Sequence, residues 1–223
     1  MEIRIVKKVL EANANVADEV RKRLRTQRRS MVNFMSAPGA GKTLLLEKLI
    51  PALRKRGLAI GVIEGDITTS NDSKRLKPLD LPIAQINTEF FGGDCHLTSA
   101  AVLTAYKKIE AQKFDIALIE NVGNLVCPAE FDTGSDLNIV LLSVTEGEDK
   151  PLKYPLMFRT SHVALINKVD LAVAAETNLD LMRSNMLKVN PKLTVVGTSG
   201  KTGEGIKALA ELLVKTHQRI LGK

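Results

Sequence analysis

The sequence predicts an α/β fold, a doubly wound and mostly parallel sheet of about seven strands flanked by helices. Three observations carry that prediction. Short apolar runs alternate with stretches of helical periodicity along all 223 residues. One run, 137–144, is almost continuously apolar, as a strand covered on both faces of a parallel sheet must be. Between the first strand and the first helix of the alternation lies Ser36-Ala37-Pro38-Gly39-Ala40-Gly41-Lys42-Thr43-Leu44, a small-residue turn opening into an apolar helical pattern. A strand, such a turn and Gly-Lys-Thr together read as a P-loop, so the fold is that of a P-loop NTPase. Ligands in such folds sit at the carboxyl ends of the strands.

In chain order, residues 1–29 form a basic segment in which Val16, Val20 and Leu24 recur at helical spacing. It is expected as an amphipathic helix packed on the main domain, with its charges as a solvated face. A strand at 31–35 precedes the turn, and a helix over 42–56 follows with Leu45, Leu49 and Leu53 on one face, closed by Gly57. A strand at 58–64 ends in Glu64-Gly65-Asp66; the polar stretch 68–77 is expected as loop and short helix. Then come a strand at 81–86, a glycine-containing loop at 87–94 and a helix over 97–112 with Ala101, Ala105 and Ile109 facing inward. The strand at 114–119 leads to Glu120-Asn121-Val122-Gly123, and the strand at 162–166 to Asn167-Lys168-Val169-Asp170. A helix over 176–189, a strand at 193–198 and a helix over 204–221 complete the alternation. No repeat, low-complexity tract or interdomain linker interrupts it, so 1–223 reads as one domain.

Composition narrows the function. The net charge is +7, and residues 1–29 carry +5 of it, with nine Lys/Arg against four acids. The remainder holds only +2, which argues against a body-wide nucleic-acid surface. No run reaches the roughly 18 apolar residues of a membrane span, and the first ten residues lack the apolar core of a signal peptide. A cytoplasmic protein without membrane or nucleic-acid partners is expected. In that compartment the two cysteines, Cys95 and Cys127, argue against a structural disulfide.

The P-loop assigns roles. The loop Pro38, Gly39, Ala40, Gly41 and the helix start as far as Leu44 would cradle phosphates, the backbone N–H groups after Pro38 donating. Lys42 would reach the β- and γ-phosphates as the catalytic cation, and the Thr43 hydroxyl would hold Mg²⁺. Ser36 stands where the G-x-x-x-x-G-K-[ST] pattern has its first glycine, a position that favours unusual backbone angles. Asn167-Lys168-Val169-Asp170 fits a guanine reader. A buried carboxylate at Asp170 accepts from guanine N1–H and its amine, and adenine would leave it unpaired. Ser199-Gly200-Lys201 would form the second guanine loop. Asp66 and Glu120 join Thr43 as oxygen ligands for Mg²⁺, Gly123 offers an N–H to the γ-phosphate, and Asp72 would position the attacking water.

Cys95-His96 and Cys127 suit Zn²⁺ or Ni²⁺ in donor type, yet by spacing alone such residues are more often core fillers and a surface imidazole. Ser36 to Thr43, Glu64-Gly65-Asp66, Cys95-His96-Leu97, Glu120-Asn121-Val122-Gly123-Asn124-Leu125-Val126-Cys127-Pro128 and Asn167 to Asp170 together resemble the HypB family. Those are GTPases that assist nickel insertion into [NiFe]-hydrogenase. The resemblance implies slow hydrolysis of GTP to GDP, and nickel or zinc on Cys95, His96 and Cys127. It also implies GTP-dependent homodimers and, as partners, a HypA-type nickel chaperone and the hydrogenase large subunit. Three rivals remain. They are the urease accessory (UreG) family, which has Cys-Pro-His where this chain has Cys95-His96; a nucleotide-gated binding module with a structural metal; and an adenine-specific P-loop kinase.

Overall fold

The structure is a computed structural model that describes residues 2–66, 75–88 and 95–222, the side chains of 2–6 and 66 excepted. Its strands are β1 (Ser30–Ser36), β2 (Ile60–Asp66), β3 (Ile83–Asn87), β4 (Ile116–Glu120), β5 (Leu137–Ser143), β6 (Val163–Asn167) and β7 (Thr194–Thr198). They form one sheet in the order β3-β2-β4-β1-β5-β6-β7, every pair parallel. The helices are α1 (Glu2–Thr26), α2 (Lys42–Arg54), α3 (Ser99–Ile109), α4 (Lys150–Lys153), α5 (Pro155–Arg159), α6 (Leu179–Val189) and α7 (Ile206–Ile220).

Both faces of the sheet are covered. Leu45, Leu49 and Leu53 of α2 and Leu209 and Leu213 of α7 pack on Phe34, Val62, Leu118 and Leu165. On the other face Val20 and Leu24 of α1 and Val102 and Tyr106 of α3 meet Met31, Ile63 and Ile119. Met157 and Phe158 of α5 and Met182 and Met186 of α6 cover Val140, Leu142 and Ile166. Every residue of β1, β4 and β6 is buried, as central parallel strands require.

Three expectations are corrected. The strands expected at 58–64, 81–86 and 114–119 begin two residues later, because the first residues of those runs make other contacts. Leu58 N bonds back to Leu53 O, and the Phe114 ring packs 3.8 Å from the Arg29 guanidinium carbon and beside Gly61. Two short helices, α4 and α5, stand where none was expected. Finally, the basic face of α1 is not merely solvated: Arg21 pairs with Asp132 at 2.7 Å, Arg23 with Glu110 at 2.9 Å, and Arg25 with Asp136. Of the polar stretch 68–77 and the loop 87–94, residues 68–74 and 89–94 lie outside the described residues. A short 3₁₀ turn, Lys77–Leu79, follows the first of them.

Candidate functional site

The phosphate cradle forms where β1 ends and α2 begins. Ser36 is a buried strand residue with no positive φ, so the conformational freedom of a glycine is not needed there. Its hydroxyl instead accepts from Lys42 Nζ at 2.8 Å. The left-handed turns fall at Gly39 (φ +73°) and at Gly41 (φ +97°), the N-cap of α2. A side chain at Gly41 would also place its Cβ 2.9 Å from Asn167 Nδ2. The first N–H groups of α2 have no acceptor within the helix and point into a cleft of about 490 Å³.

Across that cleft Thr43 Oγ1 donates to Glu120 Oε1 at 2.7 Å. Glu64 stands beside Glu120 in register between β2 and β4, and both are buried in the cleft wall. A hydroxyl and two carboxylates are hard oxygen donors and fit Mg²⁺. Glu64 was passed over in the sequence in favour of Asp66; the strand period of two puts both on one face, which was the available signal. The side chain of Asp66 and all of Asp72 lie outside the described residues. Gly123 sits against the loop so closely that a Cβ there would lie 2.9 Å from Pro38 Cα. Asn121 Nδ2 donates to Asn33 Oδ1 at 3.1 Å, tying the same segment under β1.

The loops expected to read the base lean on the cradle from the β6 side. Asn167 Nδ2 donates to Ala40 O at 2.8 Å, and its Oδ1 accepts from Thr198 Oγ1 at 3.0 Å. Lys168, itself at φ +60°, donates from Nζ to Gly39 O at 2.8 Å. Asp170 is exposed rather than buried, because the 3₁₀ turn Val169–Leu171 sets it at the rim. Ser199 Oγ orients it by donating to Oδ1 at 2.5 Å, while accepting from Lys201 N and Thr202 N. Gly200 is held so near α2 that a Cβ would meet Leu44 Cγ at 2.9 Å.

The residues left open by spacing are gathered. Cys95, His96 and Cys127 bring one ligand atom each to within 4.8 Å of the others, and all three are half-buried. The two Sγ atoms lie 2.6 Å apart. Contact with Cys95, and then burial, push the Cys127 thiol above its ordinary range. The His96 ring stacks on Phe131, centroids 3.7 Å apart and planes 22° from parallel. Asn124 Oδ1 accepts from Val126 N at 2.7 Å and Cys127 N at 3.3 Å, shaping the turn that presents Cys127. Thiolate and imidazole donors suit Zn²⁺ or Ni²⁺.

A phosphate cradle on an all-parallel sheet, with a thiol–imidazole cluster that takes Cys127 from the segment walling it, defines a P-loop nucleotide-hydrolysing protein equipped to bind metal. The family model for the CobW/HypB/UreG nucleotide-binding domain matches residues 30–197. The chain belongs to that family and, within it, to the HypB proteins. A Rhizobium leguminosarum relative named hydrogenase maturation factor HypB is 44% identical over 206 residues, which is 92% of this chain and 68% of its own length. The probable hydrogenase maturation factor HypB of Methanocaldococcus jannaschii is 38% identical and covers 97% of this chain and 96% of its own. A crystal structure of HypB from Helicobacter pylori in complex with nickel superposes with a TM-score of 0.86 at 33% identity, over 93% of this chain and 96% of the other.

Proposed function

We propose that this chain is a GTP-hydrolysing nickel metallochaperone for [NiFe]-hydrogenase maturation. The observation that carries the reading is the continuity of one segment. Glu120 and Gly123 wall the phosphate cleft, and Cys127, four residues further on, meets Cys95 and His96. Relatives named for hydrogenase maturation, one of them solved with nickel, support the choice of pathway and cargo.

In this reading Lys42 leaves Ser36 Oγ to neutralise the β- and γ-phosphates, and the N–H groups of the cradle and of Gly123 hold their oxygens. Thr43 and Glu120, with Glu64 beside them and Asp66 as the further candidate, would hold Mg²⁺, which would supply charge neutralisation to the phosphates. Asn167, Lys168 and Asp170 read guanine, braced by Ser199-Gly200-Lys201, and Asp72 positions the water. Cys95, His96 and Cys127 hold the nickel cargo, with water or a second subunit completing the set. GTP favours a homodimer in the cytoplasm, and transfer runs between a HypA-type chaperone and the hydrogenase large subunit.

Gel filtration with a GTP analogue or with GDP, reading the nickel content of each peak, tests this. A nickel-bearing dimer with the analogue is expected, together with slow GTP hydrolysis at steady state. A metal-free monomer in both nucleotide states overturns the reading. Two Helicobacter relatives are named hydrogenase/urease maturation factor HypB, which favours a second destination for the cargo. Offering the loaded protein apo-urease and hydrogenase precursor side by side separates the two.

A further inference from the structure

We infer that α1 is the brace of the metal cluster and that Asn13 is the positioning residue through which it acts; the inference rests on the metal reading of Cys95, His96 and Cys127. The cluster is assembled from two segments far apart in sequence. Cys95-His96 leads into α3, whereas Cys127 lies on the segment that continues from β4. Asn13 touches both. Ser99 N, at the first helical position of α3, donates to Asn13 Oδ1 at 2.9 Å, and Ser99 Oγ lies 2.7 Å from Asn13 O. On the other side Asn13 Nδ2 donates to Asp132 O at 2.8 Å. Asp132 follows Phe131, the ring on which His96 stacks.

One primary amide therefore spends its acceptor on the His96 segment and its donor on the Cys127 segment. An amide N–H at Ser99 and a carbonyl at Asp132 demand that orientation, and the Asn amide offers the acceptor and the donor on two separate atoms of one short side chain. The Ser99 N–H is one of the orphan donors at a helix start, so the bond fixes the α3 end of the span as well as the loop end. The Cys127 segment is seated on α1 by its backbone too. A Cβ at Gly134 would lie 2.7 Å from Val20 Cβ and 2.8 Å from Ala17 O. Arg21 reaches both carboxylate oxygens of Asp132 at 2.7 Å. Apolar packing of Val20 and Leu24 would attach α1 to the sheet without Asn13, and the amide adds the defined spacing between ligand segments. All of α1, Asn13 included, precedes residue 30, where the family match begins.

The test is nickel affinity of the full chain by competition with a chromophoric chelator, the thiolate-to-nickel charge-transfer band, and affinity for fluorescent GDP. Asn13→Ala is expected to weaken Ni²⁺ binding about tenfold or more and to alter the band, with GDP affinity within about twofold of the parent because no base or phosphate contact is touched. Asn13→Asp keeps the acceptor for Ser99 but sets a carboxylate against Asp132 O, and is expected to behave as Asn13→Ala does. If either folded variant binds nickel as the parent does, the brace is overturned; should Asn13→Ala not fold, Asn13→Asp decides. A parent chain that takes up no nickel, while binding GDP, overturns the metal reading and this inference with it.

Discussion

A methyl group at position 123 has nowhere to go. Its Cβ would lie 2.9 Å from Pro38 Cα and 3.0 Å from Pro38 N, and those backbone atoms cannot rotate aside as a flexible side chain would. Overpacking of this kind costs about 1–3 kcal/mol. Gly123→Ala is therefore expected to weaken nucleotide binding roughly tenfold or more, with the GTP analogue losing more than GDP if the Gly123 N–H serves the γ-phosphate as proposed. Titration with fluorescent analogues of both nucleotides checks this, and an equal loss for the two would remove Gly123 from γ-phosphate sensing. Asp170→Asn probes the other end of the nucleotide. Asn Oδ1 still accepts from Ser199 Oγ, so the loop keeps its shape while one of the two acceptors for guanine becomes a donor. An unpaired polar group costs about 1–3 kcal/mol, so GTP affinity should fall roughly 10- to 100-fold. Xanthosine triphosphate, with a carbonyl oxygen where guanine has its amine, should gain. Competition among GTP, xanthosine triphosphate and ATP reads the outcome, and unchanged GTP preference would restore the adenine-kinase reading.

Among the elements, the 3₁₀ turn Val144–Glu146 shows how a cap can carry a titration. Ser143 and Glu146 form a capping box, with Glu146 Oε1 accepting from Ser143 N at 2.9 Å. Burial raises the Glu146 pKa, and the hydrogen bond from Ser143 only partly offsets it. A carboxyl whose folded value lies above its unfolded one binds its proton more tightly when folded. The associated stability is present below the unfolded value and is lost as pH rises through the folded one. Glu146→Gln keeps the acceptor and discards the charge, so its Tm should exceed that of the parent at pH 7.5 and match it at pH 4. A higher Tm at both values would assign the gain to packing instead. Such a turn was not legible in the sequence, and neither were α4 and α5: each is four or five residues long with a proline at its first or second position, too short for periodicity to register. The ends of these strands were legible because their chemistry is compact, with Lys42, Asn167 and Asp170 each lying within a few residues of the end of an apolar run. Ser36 looked like a departure only because the pattern does not record that a strand can extend through that position. The ion pairs of α1 could not be read at all, since Asp132, Glu110 and Asp136 lie far along the chain and only the tertiary fold brings them near.

Across the whole molecule, one segment joins two chemistries. It starts at Glu120, bonded to Thr43, passes Gly123 against Pro38, turns at Asn124, presents Cys127 and Phe131, and ends in the grip of α1 at Asp132. Its first part lines the phosphate cleft and its middle carries Cys127 of the thiol–imidazole cluster. A shift at one end is therefore carried to the other unless the segment breaks between them, and the Asn124 bonds to Val126 N and Cys127 N oppose such a break. Ordering by a γ-phosphate is an established type of switch. If the GTP analogue changes nickel affinity relative to GDP, nickel must change the preference for analogue over GDP by the same factor. Couplings of this kind usually amount to about 1–3 kcal/mol, roughly 5- to 150-fold. Chelator competition in each nucleotide state gives one side of the square, and nucleotide competition with and without nickel gives the other, both at one protein concentration so that any dimer contributes equally. Agreement of the two factors above about fivefold is expected. Equal nickel affinity in both nucleotide states would leave a nucleotide cleft and a metal cluster that share a segment without coupling through it, and the Glu120–Asp132 stretch would then be a scaffold and not a switch.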